Sequence, residues 1–217
     1  MRIAVICDTS SGDKSGAVMA ALADRGHEVF NAGMTQSGAP PELQYIHTGL
    51  LAALLLNTGK ADLAVGGCSS GNGFFNAALQ YPGVFCGLLR TPLDAWLFAQ
   101  INGGNCISLP LNLGYGWASD VNLRLLFDQF FGVPFGGGYP PQRQEPQRRS
   151  RQLLREVSVA SHRPLSETVA LLPEAVLLPV LRFPGVLALL DLDLDPESPP
   201  TALRVALQRR LDSTAAP

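Results

Sequence analysis

Short apolar runs alternate with longer segments of helical composition along the first 135 residues. The apolar runs cover residues 3–7, 27–30, 61–67, 84–89 and 105–109, and their lengths and flanking turn residues predict β-strands. Segments rich in alanine and leucine predict helices at residues 15–25, 42–57, 74–80, from 91 or 92 onward, and 120–131. The pattern therefore predicts five successive strand–helix units.

This order of elements predicts an α/β fold. Strands that alternate with helices are typical of βαβ units, which build a parallel sheet covered on both faces. We expect a three-layer α/β/α sandwich with a mainly parallel, five-stranded Rossmann-like sheet. Ligands bind such sheets outside the carboxyl ends of the strands, so the polar turns at Asp8, at Cys68 and at residues 91–94 are expected to converge on one crevice.

The composition changes after Phe135. A stretch rich in glycine and proline at residues 136–141 leads into a basic stretch with five arginines between residues 143 and 155, where we expect a linker or a solvated arm. Later apolar segments are interrupted by prolines, and residues 201–211 carry a helical stripe. The predicted organisation is an α/β domain at residues 1–145 and a mostly helical C-terminal extension at residues 146–217, packed on that domain or on a partner subunit.

The overall composition argues against nucleic-acid and membrane partners. The 217 residues carry a formal net charge of -2, which gives no general attraction for polyanions. The basic stretch has no interleaved aromatic residues, unlike a nucleic-acid-binding segment. No secretory signal pattern is visible, and the most apolar late segment, residues 175–190, is too short and too interrupted to span a bilayer. We expect a cytoplasmic protein.

Four widely spaced cysteines lie in or beside predicted strands. Their spacing is unlike a disulfide framework or a paired metal site, so we expect reduced thiols and no metal centre. Cys7, Cys86 and Cys106 are expected to be small core residues. Cys68 is the exception, because it begins a polar loop.

That loop, Cys-Ser-Ser-Gly-Asn-Gly at residues 68–73, follows a strand and opens a helix. Backbone N–H groups at such a junction favour an anion, although the glycines alone are equally typical of a simple tight turn. A thiol at a helix N-terminus is more readily held as the thiolate, so Cys68 is a candidate base. Ser70 can donate a hydrogen bond to a substrate oxygen, and the amides of residues 71–73 can hold an enediolate. The arrangement suits proton abstraction beside a carbonyl.

The first 145 residues or so resemble the ribose-5-phosphate isomerase B and galactose-6-phosphate isomerase family. The matching landmarks occur in the family's order: the first strand with its aspartate at residues 3–8, Arg-Gly-His-Glu-Val at 25–29, Gly-Lys-Ala-Asp-Leu at 59–63, the cysteine loop at 68–73, Ala-Ala at 77–78, Pro-Gly-Val at 82–84, the asparagines at 102 and 105, and Phe-Gly-Gly-Gly at 135–138 with Gln-Arg at 142–143.

The resemblance implies an aldose–ketose isomerase that acts on a sugar phosphate through a cis-enediol, without metal or other cofactor. It also implies a homodimer or a dimer of dimers with an active site shared between subunits. Carried over by position, the catalytic residues are Cys68, Ser70 and Asp8. The expected substrate-binding residues are Thr9, Tyr45, His47, Ser69, Gly71, Asn72, Gly73, Asn102 and Arg143.

Three positions depart from the family pattern. The histidine after the first aspartate is replaced by Thr9, the ring-opening histidine by Ile101, and one of two phosphate-binding arginines by Tyr139. These changes favour an open-chain substrate, a replacement acid or base such as His47, or loss of activity. An inactive sugar- or anion-binding or assembly protein on the same fold is therefore the alternative to an enzyme.

Overall fold

A computed structural model describes residues 1–192 and 201–213 of the chain. Its five strands are β1 (Arg2–Cys7), β2 (Glu28–Asn31), β3 (Leu63–Cys68), β4 (Cys86–Leu88) and β5 (Cys106–Pro110). They form one sheet in the order β2-β1-β3-β5-β4, and every neighbouring pair is parallel. The predicted α/β fold with a five-stranded parallel sheet is confirmed.

Helices cover both faces of this sheet. The helices are α1 (Ser15–Leu22), α2 (Tyr45–Asn57), α3 (Asn72–Ala78), α4 (Pro92–Leu97), α5 (Ser119–Phe131), α6 (Gln144–Ser161), α7 (Leu165–Leu171), α8 (Glu174–Leu181), α9 (Val186–Leu189) and α10 (Ala202–Ser213). Side chains alternate across a strand, so Ile3 and Val5 pack with α1, α4 and α5, whereas Ala4 and Ile6 face α2 and α3. Two hydrophobic layers result, one on each face.

The C-terminal extension adds to one of these layers. Buried side chains of α7, α8, α9 and α10 join the same apolar cluster as α2 and α3, among them Val169, Leu177, Val186 and Leu207. The extension therefore packs on the α/β domain, as one of the two sequence-based alternatives had it.

The basic stretch is a regular helix rather than an irregular linker. Residues 144–161 form the 18-residue helix α6, and most of them are exposed, as expected of a solvated arm. Ser158 fixes its far end, because the Gly83 N–H donates to Ser158 Oγ at 3.1 Å. The predicted domain boundary at residue 145 falls in the first turn of α6.

Among residues 1–192 and 201–213, no single helix is long and apolar enough to cross a membrane. One sharply bent combination, Pro141–Leu171 with Glu174–Leu181, meets the criteria of length and composition only.

The packing of Phe74 on Gly66 positions α3 against the sheet. Phe74 is fully buried, and a Cβ atom at Gly66 would lie 2.1 Å from Phe74 Cζ. Glycine in β3 therefore lets the aromatic ring approach the strand backbone directly. This contact sets the height of α3 above β3, and with it the position of the loop that joins them.

We expect Gly66→Ala to destabilise the protein by about 1–3 kcal/mol, because the added methyl group overpacks a site from which Phe74 has no room to retreat. Gly16→Ala is the matched control, since Gly16 lies in α1 with no atom within 4 Å of its Cβ position. That change should stabilise by up to about 1 kcal/mol through helix propensity. Denaturant unfolding of both variants measures the difference, and equal stabilities would contradict the packing argument.

Candidate active site

The pairing of β1 with β3 places the first two predicted site residues side by side. Cys7 pairs with Gly67 in the parallel register, so the next residues, Asp8 and Cys68, leave the sheet at the same level. The Asp8 N–H donates to the Gly67 carbonyl oxygen at 3.2 Å and continues the ladder by one residue. Two neighbouring strands thus deliver a carboxyl and a thiol to the carboxyl edge of the sheet, as the sequence predicted.

Asp8 has a buried carboxyl group that accepts its hydrogen bonds on a single oxygen atom, Oδ1. Its Oδ1 accepts hydrogen bonds from the Ser10 N–H at 3.0 Å, the Ser10 hydroxyl at 2.7 Å and the Ser11 hydroxyl at 3.0 Å. Burial raises the pKa of Asp8 above its ordinary value, although the serine hydrogen bonds oppose this shift. Within the described residues no group donates to Oδ2, so this oxygen is free to meet a ligand.

A hydrogen-bonded network joins three strand-end turns at this edge. The Ser69 N–H donates to Ser10 Oγ at 2.9 Å, which links the turn after β3 to the turn after β1. Asn112, in the turn after β5, donates from Nδ2 to the Ser10 carbonyl oxygen at 2.6 Å and to Ser69 Oγ at 2.9 Å. Ser10, Ser11 and Asn112 were missed as site residues, although each lies directly after a predicted strand.

The third expected turn does not join the site. Residues 91–94 follow β4, which is the edge strand, and β5 separates β4 from β3. The Thr91 and Asp94 side chains instead cap α4: Asp94 N–H donates to Thr91 Oγ1 at 3.1 Å, and Thr91 N–H donates to Asp94 Oδ2 at 3.0 Å. The turn after β5 takes the place that sequence reasoning assigned to the turn after β4.

Cys68 ends β3 and its side chain lies on the α2–α3 face of the sheet. Only 6% of the residue is exposed, and it belongs to the apolar cluster that contains Phe74. Its carbonyl oxygen accepts from the N–H groups of Gly71 at 3.3 Å and Leu111 at 3.0 Å, which fixes the loop at both ends. The thiol is therefore nearly enclosed, at the border between the apolar layer and the polar network.

Two other cysteines, Cys7 and Cys106, are buried in the apolar layers of the fold. Burial raises the pKa of Cys7 to about 12, and the charges of Asp8 and Asp13 act in the same direction. Cys106 is fully buried, which raises its pKa well above the ordinary value. Among the residues that the structure describes, no group of three or more His, Cys, Asp or Glu is arranged to hold a metal ion.

The rest of the cysteine loop turns into α3 through Gly71, which has φ +76° and caps the helix. Ser70 Oγ lies 3.4 Å from the backbone nitrogen and 3.5 Å from Nδ2 of Asn72, so both contacts are long. Gly73 lies under the Tyr45 ring, because a Cβ there would be 2.8 Å from Tyr45 Cγ. Tyr45, at the start of α2, is 45% exposed and borders the loop, as the sequence-based hypothesis required.

Thr9 connects the same edge to the segment before α2. Its N–H donates to the Leu43 carbonyl oxygen at 2.7 Å, and its Oγ1 accepts from the Gly38 N–H at 3.2 Å. The hydroxyl thus holds the loop between β2 and α2 against the turn after β1. Thr9 lies beside Asp8, where the resemblance placed a substrate contact.

The structure argues against the predicted substrate-binding role of His47. Its Nδ1 accepts from the Gln44 N–H at 3.0 Å in the cap of α2, and its Nε2 donates to the Ala175 carbonyl oxygen at 3.0 Å. Both ring nitrogens are therefore used within the fold, and the ring is buried. His47 joins α2 to α8 of the extension and has no ring nitrogen left for a substrate or for the role of the missing histidines.

Asn102 lies at the other end of the sheet, because it precedes β5. The paired segments of β3 and β5 run in parallel from Ala64 and Cys106 to Cys68 and Pro110, which is about 13 Å of strand. One chain therefore does not bring Asn102 to Cys68. Arg143 is exposed and immediately precedes α6.

Fold and site together define a class. The protein combines a doubly wound parallel sheet with a thiol, a buried carboxyl and a hydroxyl network at the carboxyl edge of that sheet. The model of the Ribose/Galactose Isomerase family matches residues 3–146 of the sequence. The chain belongs to that family.

Two solved structures resemble the chain over nearly its whole length. One is a 4-deoxy-L-threo-5-hexosulose-uronate ketol-isomerase complexed with a tartrate, with 34% identity, 98% coverage of both chains and a TM-score of 0.86. The other is a ribose-5-phosphate isomerase from Vibrio parahaemolyticus, with 31% identity, 98% coverage of both chains and a TM-score of 0.85.

A shorter relative shares the fold alone. The ribose 5-phosphate isomerase of Thermotoga maritima is 24% identical, with a TM-score of 0.59, and the alignment covers 71% of this chain and 97% of the other. The C-terminal extension is thus common to the two longer relatives. No curated protein matches the sequence.

We expect Asp8→Asn to leave the fold at least as stable as the wild type at neutral pH. The pKa of Asp8 is raised in the folded state, so its contribution to stability is greatest at acidic pH and is lost as pH rises through that pKa. A neutral amide keeps an Oδ1 acceptor without the buried charge. The stability of the variant relative to wild type should therefore increase between pH 4 and pH 8, measured by urea unfolding.

Asp13→Asn is the control, for which we expect the opposite change of stability with pH. Asp13 is exposed, and hydrogen bonds from Lys14 and Ser37 lower its pKa, so its contribution is present at neutral pH and lost in acid. This variant should lose stability relative to wild type as pH rises. A loss of more than about 1 kcal/mol for Asp8→Asn at pH 7 would show that the serine hydrogen bonds outweigh the cost of burying the carboxylate.

Proposed function

We propose that the protein is an aldose–ketose isomerase whose substrate is an open-chain sugar acid of the deoxy-hexosulose-uronate type. The observation that carries this proposal is the 34% identity to a 4-deoxy-L-threo-5-hexosulose-uronate ketol-isomerase over 98% of both chains, including the extension. The ribose-5-phosphate isomerase at 31% identity and equal coverage makes ribose 5-phosphate the second candidate. The positions that depart from the family pattern favour the first.

The chemistry of the uronate fits those departures. In 4-deoxy-L-threo-5-hexosulose uronate, carbon 5 is a ketone and carbon 4 has no hydroxyl, so neither a six-membered nor a five-membered sugar ring can close on the aldehyde. An enzyme for such a substrate needs no ring-opening group, in keeping with Ile101 at the position of the family's ring-opening histidine. The compound ends in a carboxylate, which carries one negative charge and needs fewer arginines than a phosphate does. This agrees with the replacement of one of the family's two phosphate-binding arginines by Tyr139.

Proton transfer in this proposal begins at Cys68. The thiolate removes the proton from carbon 2, and the electrons of that C–H bond form the carbon 1–carbon 2 double bond while the aldehyde oxygen takes up a proton from water. The resulting cis-enediol then loses the proton of the oxygen on carbon 2 to water, and the Cys68 thiol returns its proton to carbon 1. The product has the carbonyl group on carbon 2, and no atom is gained or lost.

The neighbouring groups have separate tasks. The amides of Gly71, Asn72 and Gly73 and the Ser70 hydroxyl are the donors for the oxygen that carries negative charge in the enediolate. Asp8 Oδ2 accepts a substrate hydroxyl, and its serine contacts on Oδ1 hold the carboxyl group still. Ser69, held by Asn112 Nδ2 at 2.9 Å, forms the rim.

Activity measurements with three sugars test the reaction. With the uronate, wild-type protein in D₂O should place deuterium at the carbon that receives the proton, and turnover should exceed that with ribose 5-phosphate or galactose 6-phosphate. Cys68→Ala should lower exchange and turnover by about 10²- to 10⁴-fold, as expected for loss of a positioned base. Cys106→Ala removes an equally buried thiol from the same sheet and should keep the activity.

Three outcomes would change the proposal. Turnover of ribose 5-phosphate above that of the uronate would favour the second candidate. Neither exchange nor turnover with all three compounds would favour the inactive binding protein, for which the deep burial of Cys68 is the specific support. Exchange that survives Cys68→Ala would remove this thiol from the mechanism.

The active site in this proposal is completed by a second copy of the chain. Asn102 lies at the sheet edge opposite the Cys68 of its own chain, which supports a role for Asn102 in the site of a neighbouring subunit. The exposed apolar side chains of α6, Leu153, Leu154, Val157 and Val159, provide a surface for such contact. A homodimer with two shared sites follows from this arrangement.

Mixing two inactive variants tests the shared site. Cys68→Ala and Asn102→Ala should each lose most activity, and subunit exchange should create mixed dimers with one intact site. An equimolar mixture should recover about one quarter of wild-type activity, since half of the dimers are mixed and each has one working site of two. Mass spectrometry checks the exchange, and mixed dimers without recovered activity would show that the two residues serve the same chain.

A further inference from the structure

Asn102, which the shared site proposed above assigns to the neighbouring subunit's active site, also lines a cavity between α6 and the amino edge of the sheet. This cavity lies away from the Cys68 of the same chain. Its volume is about 260 Å³, small for a ligand pocket but sufficient for a compact organic molecule. Its apolar wall comes from Leu79, Val84, Phe85, Phe98 and Leu154, and its polar groups come from Asn102, Arg151, Arg155, Ser158, Ser161 and His162. The cavity therefore combines the positive charges of Arg151 and Arg155 with an apolar wall.

Arg151 occupies a slot made by two glycines. A Cβ at Gly136 would lie 1.0 Å from Arg151 Nη1, and a Cβ at Gly103 would lie 2.7 Å from the same atom. Both glycines have positive φ, at 63° and 53°, a conformation that glycine adopts without strain. The guanidinium therefore lies directly on the backbone, in one fixed position at the cavity wall.

The positive charge of Arg151 is not neutralised within the fold. Its Nε is buried without a hydrogen-bond partner, and no described carboxylate forms an ion pair with it. Burial lowers the pKa of Arg151, and the like charges of Arg155 and Arg148 act in the same direction. In contrast, Arg25 pairs with Asp128 at 2.8 Å. A buried donor and an unpaired charge are costly to keep, and an anion in the cavity would satisfy both.

The walls of the cavity are held in place on both sides. At one end of α6, the Gly83 N–H donates to Ser158 Oγ at 3.1 Å. At the other end, Gln147 Nε2 donates to the Tyr139 carbonyl oxygen at 2.8 Å and Gln147 Oε1 accepts from the Tyr139 N–H at 2.8 Å. Arg151 lies on α6 between these anchors, so a ligand meets a preformed site.

We propose that this cavity binds a small organic carboxylate, with Arg151 as the main anion-binding residue and Arg155 as a second positive charge at the rim. A planar carboxylate matches the paired donors of a guanidinium, and the apolar wall accommodates a carbon skeleton that inorganic phosphate lacks. The carboxylate has two sources, the acidic end of a sugar-acid substrate or a separate organic acid. The site itself does not depend on the isomerase function proposed above.

Calorimetric titration of the full-length protein with three probes tests the site. Benzoate has a carboxylate on a compact apolar body, benzamide has the same shape without charge, and inorganic phosphate has charge without the body. We expect benzoate to bind at least about tenfold more tightly than either of the others, because a charge-assisted pair and the apolar contact act together. Equal binding of benzoate and benzamide, or no benzoate binding, would overturn the proposal.

Variants of α6 locate the binding. Arg151→Gln should weaken benzoate binding at least about tenfold, and Arg151→Lys should give an intermediate loss because lysine keeps the charge but loses the fork of donors. Arg149→Gln is the matched control, since Arg149 is exposed on the same helix and does not line the cavity. Circular dichroism checks that each variant is folded. Unchanged binding in folded Arg151→Gln would contradict the assignment.

Competition separates the two sources of the carboxylate. If the substrate's acidic end enters the cavity, benzoate should inhibit turnover of the uronate competitively, and Arg151→Gln should raise KM with little change in kcat. If the ligand is a separate organic acid, benzoate should bind without competing. Either result supports the site, and binding remains measurable with a protein that has no isomerase activity, so failure of one proposal is distinguishable from failure of the other.

Discussion

The parallel pairing of β1 with β3 is the constraint on which the candidate site depends. Cys7 pairs with Gly67, so Asp8 and Cys68, the next residue on each strand, lie side by side. The Gly66 backbone lies against Phe74, so the approach of α3 is set by the same strand. Ser10 then couples the two turns, since its hydroxyl donates to Asp8 and accepts from the Ser69 N–H. A shift of one residue in this register would send the thiol to the other face of the sheet.

Much of the fold could be predicted because the strand and helix periods were strong, but the spatial order of the strands could not. Consecutive strands along the chain suggested that the turn after β4 would approach Cys68, whereas β5 lies between them. This order explains why Asn112 rather than Thr91 entered the network. The cavity beside α6 was also not predicted, because a dense run of arginines does not reveal which positions face the sheet.

His47 shows a different limit of sequence reasoning. Histidine is not among the usual capping residues, so its position three residues after Gln44 gave no sign that its Nδ1 would accept a backbone N–H. Its Nε2 bond reaches Ala175, 128 residues away, a contact that local pattern does not reveal. In contrast, residues 68–73 follow β3 and open α3, as the local pattern of a strand, a glycine turn and a helix predicted.

Two charged groups, Asp8 and Arg151, lie at opposite ends of the same sheet, and each is kept at some cost to the stability of the fold. Burial raises the pKa of the carboxyl group and lowers that of the guanidinium, so both are shifted toward their neutral forms. Neither group has an ion pair among the described residues that would offset this cost. Parallel strands keep these ends apart within one chain, so the two cannot relieve each other. In the two proposals made above, a hydroxyl group of a ligand meets Asp8 and a carboxylate meets Arg151, so each charged group gains a partner of the opposite hydrogen-bonding character.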